Sequence, residues 1–153
     1  MKKAISLLLI LSLALTIAAC GMKEEKKSID VSALYESYRQ YLPEMFRPDE
    51  STMLSFLGIR VENCAQYQIA ICSEGMRADE VWLIEAKDQA SLESLRKLAQ
   101  TRIEAKLDET KSYVPDQYVV VEKAELLTNG LYLALLISPD VDTLKAEFEA
   151  ALR

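Results

Sequence analysis

The sequence predicts an α+β fold, in which two leading helices are followed by two strand-strand-helix units that form a four-stranded antiparallel sheet with helices packed on it. Three observations lead there. Residues 67–72 and 80–86 alternate along the chain with the two-residue period of strands. From Asp88 onward, Leu92, Leu95, Leu98, Ala99, Ile103 and Leu107 recur at helical spacing, with Glu93, Arg96, Lys97 and Glu104 on the other side. After Pro115 the same order of two strands and a helix returns. Two such units most simply make one sheet with both of their helices on one face.

The first segment in chain order is a leader. Lys2 and Lys3 precede an apolar run from Ala4 to Ile17, interrupted only by Ser6, Ser12 and Thr16, which is the pattern of a secretory signal. As a helix this run would rise only about 20 Å, short of the ~30 Å hydrocarbon core, so it is a poor permanent anchor. It ends in Ile17-Ala18-Ala19-Cys20, where bacterial lipoprotein signals carry their modified cysteine. Ala18 and Ala19 supply the small side chains that a narrow peptidase cleft demands. The expectation is a signal peptide over 1–19, a diacylglyceryl thioether on Cys20, a lipidated tether over 20–29 and a single α+β domain over 30–153. Two acyl chains on one cysteine meet the two-signal requirement for stable anchoring.

In the domain, Asp30 or Ser32 caps a first helix bearing Leu34, Tyr38, Tyr41 and Leu42, and Pro43 helps end it. Pro48-Asp49-Glu50-Ser51 starts a second, short helix with Met53, Leu54, Phe56 and Leu57, closed by Gly58. The strands at 67–72 and 80–86 read as an antiparallel hairpin around Gly75. The long helix from Asp88 is expected to leave through the polar stretch Asp108 to Lys111, and Pro115-Asp116 marks a turn. Tyr118-Val119-Val120-Val121 reads as the opening of a third strand running on toward Leu127. Asn129-Gly130 signals a type I′ hairpin into a fourth strand over 131–137. Ser138-Pro139-Asp140 then offers an N-cap and a proline at the first turn of a last helix, whose inward residues are Val141, Leu144, Phe148, Ala151 and Leu152. Leu131, Leu133, Leu135 and Ile137 alternate with Tyr132, Ala134 and Leu136, so both faces of that strand need cover. The leading helices are the expected cover for the second face.

Composition narrows the function classes. The chain has 153 residues and a formal charge of −6; loss of the leader leaves about 134 residues at a charge near −8, enough for one core. An acidic body of this kind argues against nucleic acid as a partner. The absence of histidine removes His-based triads and imidazole zinc sites. Cys64 and Cys72 form an even pair in an exported domain, but an intervening strand separates their Cα atoms by more than ~20 Å, so two unpaired thiols are expected.

The remaining chemistry is sparse. Arg77, Asp79, Glu80, Glu85 and Lys87 form the best polar cluster, expected as a solvated hairpin rim; Asp79 and Glu85 lie about 20 Å apart along a strand, too far for a glycosidase pair. Asp140 and Asp142 lack the further oxygen ligands of a calcium loop, and Lys111 beside Ser112 is a weak Ser-Lys pattern. No catalytic residue, metal ligand or cofactor-binding residue is assigned, and no cofactor is expected.

The segment Arg77-Ala78-Asp79-Glu80-Val81-Trp82-Leu83-Ile84-Glu85-Ala86-Lys87, the helix after it and the Asn129-Gly130 hairpin resemble a family of small lipoproteins from anaerobic Gram-positive bacteria, designated domain of unknown function 4358. The resemblance extends over roughly residues 30–153 and implies neither an activity nor site residues. The functional expectation is a lipoprotein on the outer face of the cytoplasmic membrane, held by its diacylglyceryl anchor. It would be a non-enzymatic module for an envelope protein or glycan, the alternative being a carboxylate-dependent enzyme acting on the cell wall.

Overall fold

The computed structural model describes residues 28–153. The leader, Cys20 and all but the end of the tether lie outside these described residues.

Asp30 accepts hydrogen bonds from the backbone N–H groups of Ser32 at 2.9 Å and Ala33 at 3.1 Å, which starts helix α1 (Val31–Tyr38). A 3₁₀ turn (Arg39–Tyr41) carries the chain to Pro43 and into strand β1 (Met45–Phe46). Asp49 caps the next helix through Thr52 at 2.7 Å, giving α2 (Glu50–Thr52), which continues in wider π geometry over Met53–Leu57. Gly58 ends it at φ +71°, a left-handed position that favours glycine, while Ile59 N–H donates back to the Met53 carbonyl at 3.0 Å. Then come β2 (Cys64–Cys72), β3 (Glu80–Ala86), α3 (Gln89–Tyr113), α4 (Pro115–Val121), β4 (Glu125–Asn129), β5 (Tyr132–Ile137) and α5 (Val141–Ala151).

The strands form one antiparallel sheet in the order β1-β2-β3-β5-β4. Register and alternation divide its side chains between two cores. On one face Ile69, Trp82, Ile84, Leu133, Leu135 and Ile137 pack with Leu92, Leu95 and Ala99 of α3 and with Met53 and Leu57. On the other face Ala70, Val81, Leu83, Ala134 and Leu136 pack with Val31, Tyr35 and Tyr38 of α1 and with Val141, Leu144 and Phe148 of α5. Tyr38 is fully buried there and its hydroxyl donates to the Leu144 carbonyl at 2.7 Å, tying α1 to α5. Burial pushes the Tyr38 phenol well above its ordinary pKa.

Several expectations are corrected. The sheet has five strands rather than four, because the two residues of β1 pair with Ile71 and Cys72. The helices of the two strand-strand-helix units lie on opposite faces, so α3 with the second leading helix covers one side and α1 with α5 covers the other. The physical reason lies in the central strands, whose faces are both apolar; an eight-residue α1 alone is too small to cover the second.

Residues 118–121 are helical, within α4, and not strand. Pro115 sits in the first turn of α4 and favours helix from the start, while Val121 is buried against the α3-side core, so packing overrides the β-branched preference. Helix α3 also runs past Asp108 to Tyr113. Nothing in that polar stretch breaks a helix, the Thr110 hydroxyl bonds back to the Lys106 carbonyl at 2.6 Å, and the stop comes where Pro115 restricts Val114.

The β4–β5 turn is centred on Gly130-Leu131. Only Gly130 has positive φ, at 59°, which is the pattern of a type II′ turn rather than type I′. Finally, Pro139 lies before α5 rather than inside it, and the Ser138 hydroxyl accepts the Asp140 N–H at 3.1 Å.

Candidate functional site

Glu80 opens β3 with its side chain toward α3, in an otherwise apolar layer. One carboxylate oxygen accepts from Trp82 Nε1 at 2.8 Å and Arg102 Nε at 3.0 Å; the other accepts from Arg102 Nη2 at 2.8 Å and faces Lys106 Nζ at 3.3 Å. Arg102 and Lys106 are four residues apart on α3, so one helix face delivers both cations. Lys106 also donates to the Ala78 carbonyl at 3.0 Å, and the Phe56 ring covers the Arg102 guanidinium at 4.7 Å. The side chains are 0 % exposed for Glu80, 14 % for Arg102 and 8 % for Lys106. Both carboxylate oxygens are engaged, so the arrangement ties β3 to α3 and leaves no open acid or base.

The expected solvated rim is therefore not one. Asp79, next in the chain, is also fully buried, and Arg77 grips it through Nε at 3.0 Å and Nη2 at 3.3 Å. That contact holds the Arg77 guanidinium above its ordinary pKa. Glu85 lies at the opposite end of β3 and accepts from Gln66 Nε2 at 2.7 Å, while Lys87 is exposed beyond the strand. Asp79 and Glu85 do not converge.

The Glu85 end is where the chain joins the fold. Gln66 donates to the Ile29 carbonyl at 3.2 Å and accepts from Val31 N–H at 3.4 Å, and the Tyr132 hydroxyl accepts from Ile29 N–H at 3.0 Å. At the Glu80 end an open groove of about 520 Å³ lies beside β1, lined by Tyr35, Arg39, Leu42, Pro43, Glu44, Met45 and Arg47, two cations against one acid. Two guanidiniums meet one carboxylate on its rim: Arg39 Nη1 donates to Glu36 at 3.0 Å and Arg47 Nη2 at 2.8 Å. These contacts hold the Glu36 carboxyl below its ordinary pKa. Arg47 also lies over the Tyr35 ring at 4.8 Å. Three polar atoms of each guanidinium fork cannot all be used by Glu36, so donors remain for an anionic group.

Other candidates stay apart. Cys64 and Cys72 are free thiols at opposite ends of β2, about 26 Å apart by strand rise. Burial, with Glu62 nearby, pushes the Cys64 thiol up to about 11. Lys111 and Ser112 are both exposed near the end of α3. Among the described residues no group of three or more acidic or cysteine side chains is placed to hold a metal ion, and no helix is long and apolar enough to cross a membrane.

Fold and site define a mixed α+β domain whose five-stranded antiparallel sheet is covered by helices on both faces, with a buried ion cluster and an arginine-edged groove at one end. The chain belongs to the family described as Domain of unknown function (DUF4358), which matches residues 41–138. The comparisons with curated proteins and with solved structures each returned no match.

Arg102, Lys106 and the Glu36-centred pair were not singled out from sequence. A signal for the first two exists: a glutamate at position 80 in step with the apolar Trp82 and Ile84 of the same strand face, and two cations four apart beside Ile103 and Leu107. The Glu36 pair has none, because Arg47 reaches it from beyond Pro43.

Proposed function

We propose that the protein is a lipoprotein of the Gram-positive type, anchored on the outer face of the cytoplasmic membrane by a diacylglyceryl group on Cys20, and that it works as a non-enzymatic binding module for an envelope protein or glycan. The leader ending in Ile17-Ala18-Ala19-Cys20 supports the anchor. The observation that carries the binding role is the groove beside β1, where Arg39 and Arg47 share one carboxylate and retain donors suited to carboxylate- or phosphate-bearing groups. Wall peptides and anionic envelope polymers present such groups. Of the carboxylates in and next to β3, Asp79 is paired with Arg77, Glu80 with Arg102 and Lys106, and Glu85 lies at the other end of the strand beside Gln66.

A photo-crosslinking residue placed at Glu44, an exposed residue of the groove lining, compared with one at Gln100 on the exposed side of α3, tests this reading in intact cells. The expected result is an adduct from position 44 that is lost in the Arg39→Ser background and absent from position 100. Adducts indifferent to position, together with wall-hydrolysing activity abolished by a single Asp or Glu substitution, would replace the reading with the enzymatic one.

A further inference from the structure

We infer that the free edge of β1 receives an extended peptide as one more antiparallel strand, with an acidic side chain of that peptide in the arginine-edged groove and apolar side chains beside Phe46. The occupant is thereby a peptide rather than a glycan, a choice that rests on the binding role proposed for the groove.

The backbone of β1 carries the choice. In an antiparallel pair, alternate residues turn their N–H and C=O groups toward the partner strand. Ser73 N–H donates to the Glu44 carbonyl at 2.9 Å, and two residues on Phe46 is paired with Ile71. Glu44 and Phe46 therefore face β2, and the N–H and C=O of Met45, between them, face away from it. β1 stands at the end of the sheet order, so among the described residues no strand lies beyond it. Such an edge is a template for a further strand. Its length is bounded by Pro43 and Pro48, which lack an N–H, so the slot admits about five residues spanning ~17 Å rather than an open-ended pairing.

The two faces of the slot choose its side chains. A residue opposite Met45 in an added strand shares the face of Met45, and its two neighbours share the face of Phe46. On the first face lies the groove with Tyr35, Arg39 and Arg47. Arg39 and Arg47 each spend one nitrogen on Glu36, at 3.0 and 2.8 Å, and the rest of each fork stays available to a second carboxylate. On the second face the Phe46 side chain is 44 % exposed, an apolar surface for flanking residues. An acidic residue between two apolar ones fits both faces at once. A glycan can use the guanidiniums, but it offers no run of amides at strand spacing to pair with Met45. The hollow beside the other edge strand, β4, is lined by a single cation, Arg153, with Glu149.

The probe is the acetylated and amidated pentapeptide Thr-Val-Glu-Val-Thr, added to the full chain in detergent micelles, with amide hydrogen exchange followed by NMR. At saturation Met45 N–H should exchange about tenfold more slowly, while Phe46 N–H, already bonded to β2, should change little. Methylating the glutamate nitrogen of the peptide removes the donor to the Met45 carbonyl and should weaken binding about tenfold. Glutamine in place of that glutamate, or Arg39→Ser in the protein, should weaken it about fivefold. Unchanged exchange at Met45, or equal binding of the methylated peptide, overturns strand addition. An oligomer of glycerol phosphate, which has no amides, separates this failure from that of the binding role. If the oligomer shifts the Arg39 and Arg47 side-chain signals while the pentapeptide leaves Met45 unprotected, the groove binds anions and the peptide strand falls. If neither ligand perturbs the groove, the binding role falls with it.

Discussion

At one end of β3 the Glu80 carboxylate meets a guanidinium, an ammonium and an indole N–H, all out of water; at the other end Glu85 meets the amide of Gln66, which passes the contact on to the backbone of Ile29. The first arrangement works only as a complete set. A buried ion cluster contributes little beyond an apolar replacement, yet loss of one member strands the others without compensation. The second is a series of hydrogen bonds to neutral partners or at partial exposure, each worth about 1 kcal/mol. The difference teaches that the Glu80 end depends on every member of a charge-balanced set, whereas the Glu85 end tolerates loss of a single link.

The comparison is broken most severely by Arg102→Met. Removing one cation from Glu80 should cost about 3–5 kcal/mol in urea unfolding, whereas the combined Glu80→Leu, Arg102→Met, Lys106→Met chain should recover part of that loss, the Trp82 indole N–H and the Ala78 carbonyl being left without partners. A combined variant no more stable than the single one would show that the cluster is not the tie described. At the joining end, Tyr132→Phe removes the acceptor for Ile29 N–H and should cost about 1–2 kcal/mol, with faster hydrogen exchange at Ile29. No change in exchange there would contradict the clamp.

The smallest effect concerns the start of α3. Asp88 accepts from Ser91 N–H at 2.7 Å, and this bond holds its carboxyl below the ordinary value of 3.8. Because the folded pKa is the lower one, the contribution is present above 3.8 and is lost as pH falls through the folded value. Asp88→Ala should therefore be less stable than the natural chain at neutral pH, and the two unfolding curves should converge in acid. A constant gap across that range would assign the loss to something other than the charged cap.

Much of the fold was legible because it rests on local signals. Asp30 and Asp88 cap the helices that start after them, the second helix starts within Pro48–Ser51 and stops at Gly58, and the β2–β3 hairpin follows its alternation. Illegible features depended on partners distant in sequence. A two-residue β1 has no period, and it exists because Cys72 and Ile71 offer an edge. The valines at 119–121 favour strand by themselves, and become helix under Pro115 and the core contact of Val121. The site suffered most: Asp79 and Glu80 look like a solvated rim until Arg77, Arg102 and Lys106 are seen to cover them. Placement of the helices failed for a related reason, since two units alike in order need not occupy the same face when both faces are apolar.

The anchor is tested most directly by fatty-acid labelling of the natural chain and of Cys20→Ala in the same cells, with the mass of the membrane-extracted protein measured alongside. The account predicts a chain beginning at Cys20 with a diacylglyceryl group, and an unlabelled Cys20→Ala protein released into the medium. A Cys20→Ala protein that remains in the membrane, or a natural chain without acyl mass, would contradict it.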